Sequence, residues 1–195
     1  MEFSRRHLPH LYVEEQPLFI TFRLYGSLPA GREFPKISTT SGKAFVCMDR
    51  LLDSRQAGPA YLGIPGVARL VAGAIQQGDK RNYLLHAWVV MPNHVHLLIT
   101  PMTGVPRLMQ KLKGATARAA NKMLNRAGTP FWQEESYDRP VRTPEEFQRI
   151  ENYIVQNPVK AGLATSAVEY HLSSAYGLDG LKPVAGLSLP YHPVQ

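Results

Sequence analysis

The chain has 195 residues and a mass of 21.8 kDa, which suits one domain with a sizeable core and appended arms. Lys and Arg number 22 against 15 acids, a formal charge of +7, and this excess favours an anionic partner, nucleic acid before a membrane surface. Cys47 is the only cysteine, which excludes a disulfide framework and Cys-rich zinc sites within one chain; with no apolar run near the ~20 residues of a membrane span and no signal-peptide core, a soluble, cytoplasmic protein is expected.

In chain order, residues 1–16 open with Arg5, Arg6 and His7, show no period and read as a basic N-terminal arm. Leu18 to Leu24 is rich in β-branched and aromatic residues and predicts a strand, ended by Gly26 and Pro29. Residues 26–60 carry Gly, Pro and Ser with one short helical stretch, Ala44 to Leu52, and read as an insertion rather than core. A helix is predicted from Pro65 to Gln77, with Val67, Leu70, Val71, Ala74 and Ile75 as its apolar stripe and Gly78 as its stop.

Two apolar runs, Tyr83–Val90 and His94–Thr100, flank Met91-Pro92-Asn93 and predict an antiparallel hairpin. Residues 106–126 carry the longest helical pattern, with Leu108, Leu112, Ala115, Ala119 and Met123 on one side. Phe131-Trp132-Gln133 reads as the start of a further strand. Thr143-Pro144-Glu145-Glu146 supplies an N-cap, a first-turn proline and an N3 carboxylate, so a helix is predicted to start there. Pro158 places its end at Gln156 or Asn157. Residues 163–195 form a C-terminal tail without clear period. The domain is thus 17–162, and the order of elements predicts an α+β, ferredoxin-like sandwich: an antiparallel sheet with helices on one face. That fold hosts many functions, so function has to be read from side chains.

Three groups of residues could carry chemistry. His94 and His96 alternate on a strand, so both imidazoles project to one face and can chelate a divalent metal; alone, the pair also fits a solvated face. Tyr153 and Asn157 lie one turn apart on the helix that Thr143 starts, a candidate nucleophile beside a hard oxygen ligand. The same spacing also fits ordinary core and a helix end. Finally, Arg107, Lys111, Lys113, Arg118, Lys122 and Arg126 occur between Pro101 and Gln133 without a single acid. Lys111, Arg118 and Lys122 align on one face, and an acid-free face suits phosphate contacts better than a solvated surface of mixed charge. Glu134, Glu135 and Asp138 have no spacing that assigns them to a two-metal carboxylate site.

The run from His86 to Leu98, HAWVVMPNHVHLL, resembles the HUH motif (His, hydrophobic, His) of the single-tyrosine transposases, and Tyr153 to Leu163, YIVQNPVKAGL, resembles their tyrosine helix. Thr21-Phe22-Arg23-Leu24 with Gly26-Ser27-Leu28-Pro29, and Leu112-Lys113-Gly114, resemble the REP-associated tyrosine transposase branch. The likeness extends over roughly residues 5–178. It implies an HUH fold acting on single-stranded DNA, in which a tyrosine attacks a backbone phosphate, becomes linked to the 5′ phosphate and frees a 3′-OH. By position it implies Tyr153 as nucleophile, His94, His96 and Asn157 as metal ligands, and Mg²⁺ or Mn²⁺ as the metal. A cation is needed beside the tyrosine, and the candidates are the metal and the basic helix, through Lys113.

The insertion at 26–60 and the tail depart from the small insertion-sequence members, which are dimers with the tyrosine helix in trans. The REP-associated branch implies a monomer with the tyrosine in cis, acting at hairpin-forming palindromic repeats; a dimer is left open. The competing reading is a non-catalytic, single-stranded nucleic-acid-binding module on the same fold, stacking bases on Phe19, Phe22, Tyr83 or Trp88. No membrane partner is expected.

Overall fold

Leu18-Phe19-Ile20-Thr21-Phe22-Arg23 mixes apolar, hydroxyl and charged side chains, yet all six residues of the strand they form, β1 (Leu18–Arg23), are buried in a computed structural model that describes residues 16–28, 49–54 and 58–176. A strand buried on both faces requires cover on each side of its sheet. β2 (Tyr83–Val90), β3 (His94–Pro101) and β4 (Tyr137–Pro140) join it in one antiparallel sheet of order β2-β3-β1-β4. With α1 (Pro65–Gly78), α2 (Val105–Met123) and α3 (Pro144–Lys160), the chain runs strand, helix, strand, strand, helix, strand, helix. The first six elements are the ferredoxin-like arrangement.

Alternation along the strands divides the interior in two. Ile20, Phe22, Val95, Leu97 and Ile99 pack with Val67, Val71 and Ile75 of α1 and Val105 and Leu108 of α2. Phe19, Ala87, Val89 and Leu98 face the other way and pack with Ile154 of α3 and with Leu52. The two crossover helices therefore share one face, as expected. α3 covers the opposite face, the one on which alternation places His94 and His96.

Several boundaries differ from the sequence expectation. The strand expected at Phe131–Gln133 does not form: Trp132 makes one isolated bridge to Leu24, while Phe131 and Trp132 fill the α1/α2 core and the Trp132 indole donates to Thr116 Oγ1 at 3.0 Å. Pairing with β1 resumes at Tyr137. α3 passes through Pro158 and ends at Lys160. A proline in the last turn forfeits one hydrogen bond, and the turn is secured beyond it by Ala161 N–H to Asn157 O (3.0 Å), Leu163 N–H to Pro158 O (2.8 Å) and a left-handed Gly162 (φ 67°).

The buried stripe of α2 runs through Val105, Leu108, Met109, Thr116 and Ala120, whereas Ala115 and Met123 are exposed. The expected stripe was offset, because Thr116 is buried under Trp132 despite its hydroxyl. Residues 163–176, expected as tail, pack on the domain: Val90 N–H donates to Leu172 O (2.8 Å), Ser174 N–H to Trp88 O (2.9 Å) and Tyr170 Oη to Val90 O (2.9 Å). They cover the open edge of β2. The arm at 1–15, residues 29–48 and 55–57 of the insertion, and residues 177–195 lie outside the described residues.

Two expectations about stability follow. Thr143 Oγ1 accepts from Glu146 N–H at 3.2 Å as the N-cap of α3, so Thr143→Ala should cost about 1 kcal/mol, read as a lower urea midpoint with an unchanged slope. Burial, aided by the Asp79 charge, pushes the Tyr83 hydroxyl up to about 12 while it donates to Ile75 O. Its folded value exceeds the unfolded value of about 10, so the linked stability is present below pH ~10 and is lost as the pH rises towards 12. Tyr83→Phe should flatten the loss of stability in that alkaline window.

Candidate active site

β3 lies between β1 and β2, and α3 lies over it, so His94 and His96 are wholly buried. Buried imidazoles need partners, and each ring nitrogen has one. His94 Nδ1 meets Asn93 Oδ1 at 2.7 Å, and Asn93 Nδ2 donates to Leu52 O at 2.9 Å. Since a carbonyl only accepts, that second bond fixes the Asn93 amide, and His94 Nδ1 must carry the proton. The Nε2 lone pair of His94 therefore points into the site.

It points at a second imidazole nitrogen and a carboxylate oxygen. His96 Nε2 lies 3.0 Å away, and Asp49 Oδ1 lies 3.7 Å from His94 Nε2 and 3.2 Å from His96 Nε2. His96 Nδ1 meets Thr21 Oγ1 at 2.7 Å; a hydroxyl can donate or accept, so His96 either shares an Nε2 proton with His94 or leaves Nε2 bare. Asp49, His94 and His96 each offer a ligand atom within 4.8 Å of the others, all buried. Asn157 Nδ2 donates to Asp49 Oδ2 at 3.3 Å and lies 3.5 Å from His96 Nε2. Among the described residues, Asp49 Oδ1 and Asn157 Oδ1 are buried without a hydrogen-bond partner. With the shared Nε2 proton released, two nitrogens and two oxygens, all buried, offer lone pairs that fit a small divalent cation.

The charges agree. Burial, with His96 beside it, pushes the His94 imidazole down to about 3 despite the attraction of Asp49, so His94 is neutral, as a ligand must be. Burial pushes the Asp49 carboxyl up, but the attraction of His96 and His94 and the hydrogen bond from Asn157 outweigh it and hold it below the usual carboxylate range.

Tyr153 stands beside this cluster, its ring 5.6 Å from that of His96 and 6.2 Å from that of Phe19. Lys160, two turns on along α3, holds its ammonium 4.8 Å from the Tyr153 ring centroid. The structure thus unites Tyr153, His94, His96 and Asn157.

The basic residues are not united with them. α2 lies on the opposite face of the sheet from α3, so the basic helix does not supply the cation beside the tyrosine. The Lys113 ammonium donates to Gln133 O (2.7 Å), Glu134 O (2.7 Å) and Ser136 Oγ (3.3 Å), which ties it to the segment leading into β4. Arg126 donates to the Tyr61 hydroxyl and stacks over that ring at 4.5 Å. Arg107, Lys111, Arg118 and Lys122 remain exposed.

Sequence reasoning missed Asp49, Asn93 and Lys160. Asp49 sits in the short helical turn at 49–53 within the segment read as insertion, and nothing in its spacing ties it to His94. Lys160 was legible, seven residues from Tyr153 on the same helix, once the helix was known to pass Pro158. The aromatic platform of the competing reading is not there: Phe19, Phe22, Tyr83 and Trp88 are all buried.

Comparison with known proteins agrees with this picture. The family model described as "Transposase IS200 like" matches residues 69–157, from within α1 to Asn157. No curated protein matches the sequence. Among solved structures, a REP-associated tyrosine transposase bound to a REP hairpin is similar over 100% of both chains, at 18% identity and a TM-score of 0.55. A transposase candidate from Deinococcus radiodurans R1 aligns over 80% of this chain and 98% of its own at 18% identity, with a TM-score of only 0.38. Among the described residues, no helix is long and apolar enough to cross a membrane. Over residues 69–157 the chain is thus similar to the IS200-like transposase family, and its fold is that of the hairpin-bound transposase structure.

Proposed function

We propose that this protein is a metal-dependent enzyme that cleaves and rejoins single-stranded DNA at hairpin-forming repeats, through a 5′-phosphotyrosine on Tyr153. The observation that carries this reading is the placement of Tyr153 beside His96, on the same helix as Asn157, above a buried cluster of convergent lone pairs. The family match and the fold shared with a hairpin-bound transposase support it.

A divalent cation, Mg²⁺ or Mn²⁺, held by His94 Nε2, His96 Nε2 and Asn157 Oδ1 would polarise the scissile phosphate and stabilise its developing charge. The protein's own part is to aim and ionise the nucleophile. The Tyr153 oxygen bonds to phosphorus, the bond from phosphorus to the 3′ oxygen breaks, the phenolic proton leaves, and the departing oxygen takes up a proton as a free 3′-OH. Rejoining reverses these steps with a 3′-OH as attacker. Ionising a tyrosine of pKa near 10 at pH 7 costs about 4 kcal/mol. The Lys160 ammonium facing the Tyr153 ring offsets part of that.

The exposed face of α2 binds DNA away from the reacting phosphate, because the sheet lies between α2 and Tyr153. A hairpin held by both must reach around the sheet, its backbone on Arg107, Lys111, Arg118 and Lys122 and its single-stranded end at Tyr153. The protein acts in the cytoplasm, as a monomer with its tyrosine in cis or as a dimer.

With hairpin DNA and Mn²⁺, Tyr153→Phe should bind but form no covalent adduct on a denaturing gel, while Tyr137→Phe keeps the adduct. An adduct mapped to any other tyrosine overturns the assignment. His94→Ala and His96→Ala should each abolish cleavage and leave hairpin binding largely intact; normal cleavage by either, after EDTA washing and with Mg²⁺ restored, removes the metal from the mechanism. Neutralising Lys111, Arg118 and Lys122 together should weaken binding across sequences and flatten the dependence of affinity on salt by roughly 0.7–0.9 per lost phosphate contact. An unchanged salt slope would place the DNA elsewhere.

A further inference from the structure

The metal ligands implied by the resemblance, His94, His96 and Asn157, all lie within the 69–157 family match. Asp49 does not. It comes from the short helical turn at 49–53, upstream of α1, and it is nevertheless buried, at 3% exposure. A carboxylate is placed in such an environment only against strong partners. One oxygen has such a partner: Oδ2 accepts from Asn157 Nδ2 at 3.3 Å. The other, Oδ1, faces the two imidazoles, 3.2 Å from His96 Nε2 and 3.7 Å from His94 Nε2, closer than the Asp53 Oδ1 of the same turn, which lies 4.0 Å from His94 Nε2. A buried carboxylate oxygen set against two imidazole Nε2 atoms, all within 4.8 Å of one another, is what a ligand looks like beside its co-ligands.

The turn that carries Asp49 is held by the same network. Leu52 is fully buried against the α3 face of the sheet. Its carbonyl accepts from Asn93 Nδ2, and the oxygen of that same Asn93 amide takes the His94 Nδ1 proton. Docking of residues 49–53 therefore fixes the tautomer that aims the His94 lone pair, and it delivers the carboxylate to the same point.

We infer that Asp49 is a further ligand of the divalent cation, supplied from outside the matched residues 69–157, so that cation binding and docking of the 49–53 turn are one linked equilibrium. The inference rests on the metal site proposed above and extends it in two ways. It adds an anionic oxygen to two neutral nitrogens and an amide, which strengthens the preference for a hard cation such as Mg²⁺ or Mn²⁺. It also gives the 49–53 turn a role in loading the site, since a ligand that binds only the docked form stabilises docking.

The test is Mn²⁺ affinity of the full-length, DNA-free protein, measured by the loss of the free-ion EPR signal, for wild type, Asp49→Asn and His94→Ala. Asp49→Asn should weaken Mn²⁺ binding roughly tenfold or more, and Mn²⁺ should protect the 49–53 amides from hydrogen exchange in wild type but not in this variant. Wild-type affinity in Asp49→Asn together with weakened binding in His94→Ala overturns the inference and leaves the proposed function standing. Wild-type affinity in both, or no stoichiometric binding by wild type, overturns the metal site as a whole. Should Asp49→Asn fail to fold, infrared difference spectra of ¹³C-aspartate-labelled Asp53→Asn protein decide the matter, since Asp53 Oδ1 also lies 4.0 Å from His94 Nε2: a Mg²⁺-induced shift of an aspartate carboxylate band supports ligation by Asp49, and its absence overturns it.

Discussion

The burial of β3 on both faces is the constraint on which the rest depends. Its odd residues, Val95, Leu97 and Ile99, are committed to the core under α1 and α2. Strand alternation then forces His94 and His96 to the other face, where α3 closes over them. Neither imidazole reaches water, so every nitrogen has to be satisfied from within. Thr21, Asn93, Asp49 and Asn157 do this, and each is brought by a different part of the chain: β1, the hairpin turn, the 49–53 turn and α3. The polar cluster therefore holds together elements that hydrophobic packing alone would leave free to shift.

The same constraint separates two kinds of positive charge. Lys160 faces the Tyr153 ring from within α3. The exposed cations of α2 lie beyond the sheet, and two of the six basic residues in the acid-free segment are spent on structure: Lys113 on the carbonyls before β4 and Arg126 on Tyr61. A count of charge along a sequence overstates what a surface offers. What remains, Arg107, Lys111, Arg118 and Lys122, suits the sequence-independent part of DNA binding.

Much of this was legible beforehand, for identifiable reasons. Strand alternation in Tyr83–Val90 and His94–Pro101, the stripe of α1 and the Thr143-Pro144 start of α3 are local signals, and they predicted the elements and the shared face of His94 with His96. Tyr153 and Asn157 are one turn apart on one helix, so their proximity was also local. The resemblance to tyrosine transposases rested on those same runs, which is why the family match falls on them.

Tertiary structure alone decided the remainder. No local pattern says that α3 crosses to the opposite face from α1 and α2; that follows from the need to cover the second face of a fully buried β1. Trp132 looked like a strand residue, and only its contact with Thr116 shows why it fills the core instead. Lys113 looked like a phosphate ligand until three acceptors met its ammonium. Asp49 was the least legible of all, 45 residues from His94 in a stretch of weak pattern. A carboxylate's value as a ligand depends on where the chain folds back, and that is set by Leu52 and Asn93, not by its own neighbours.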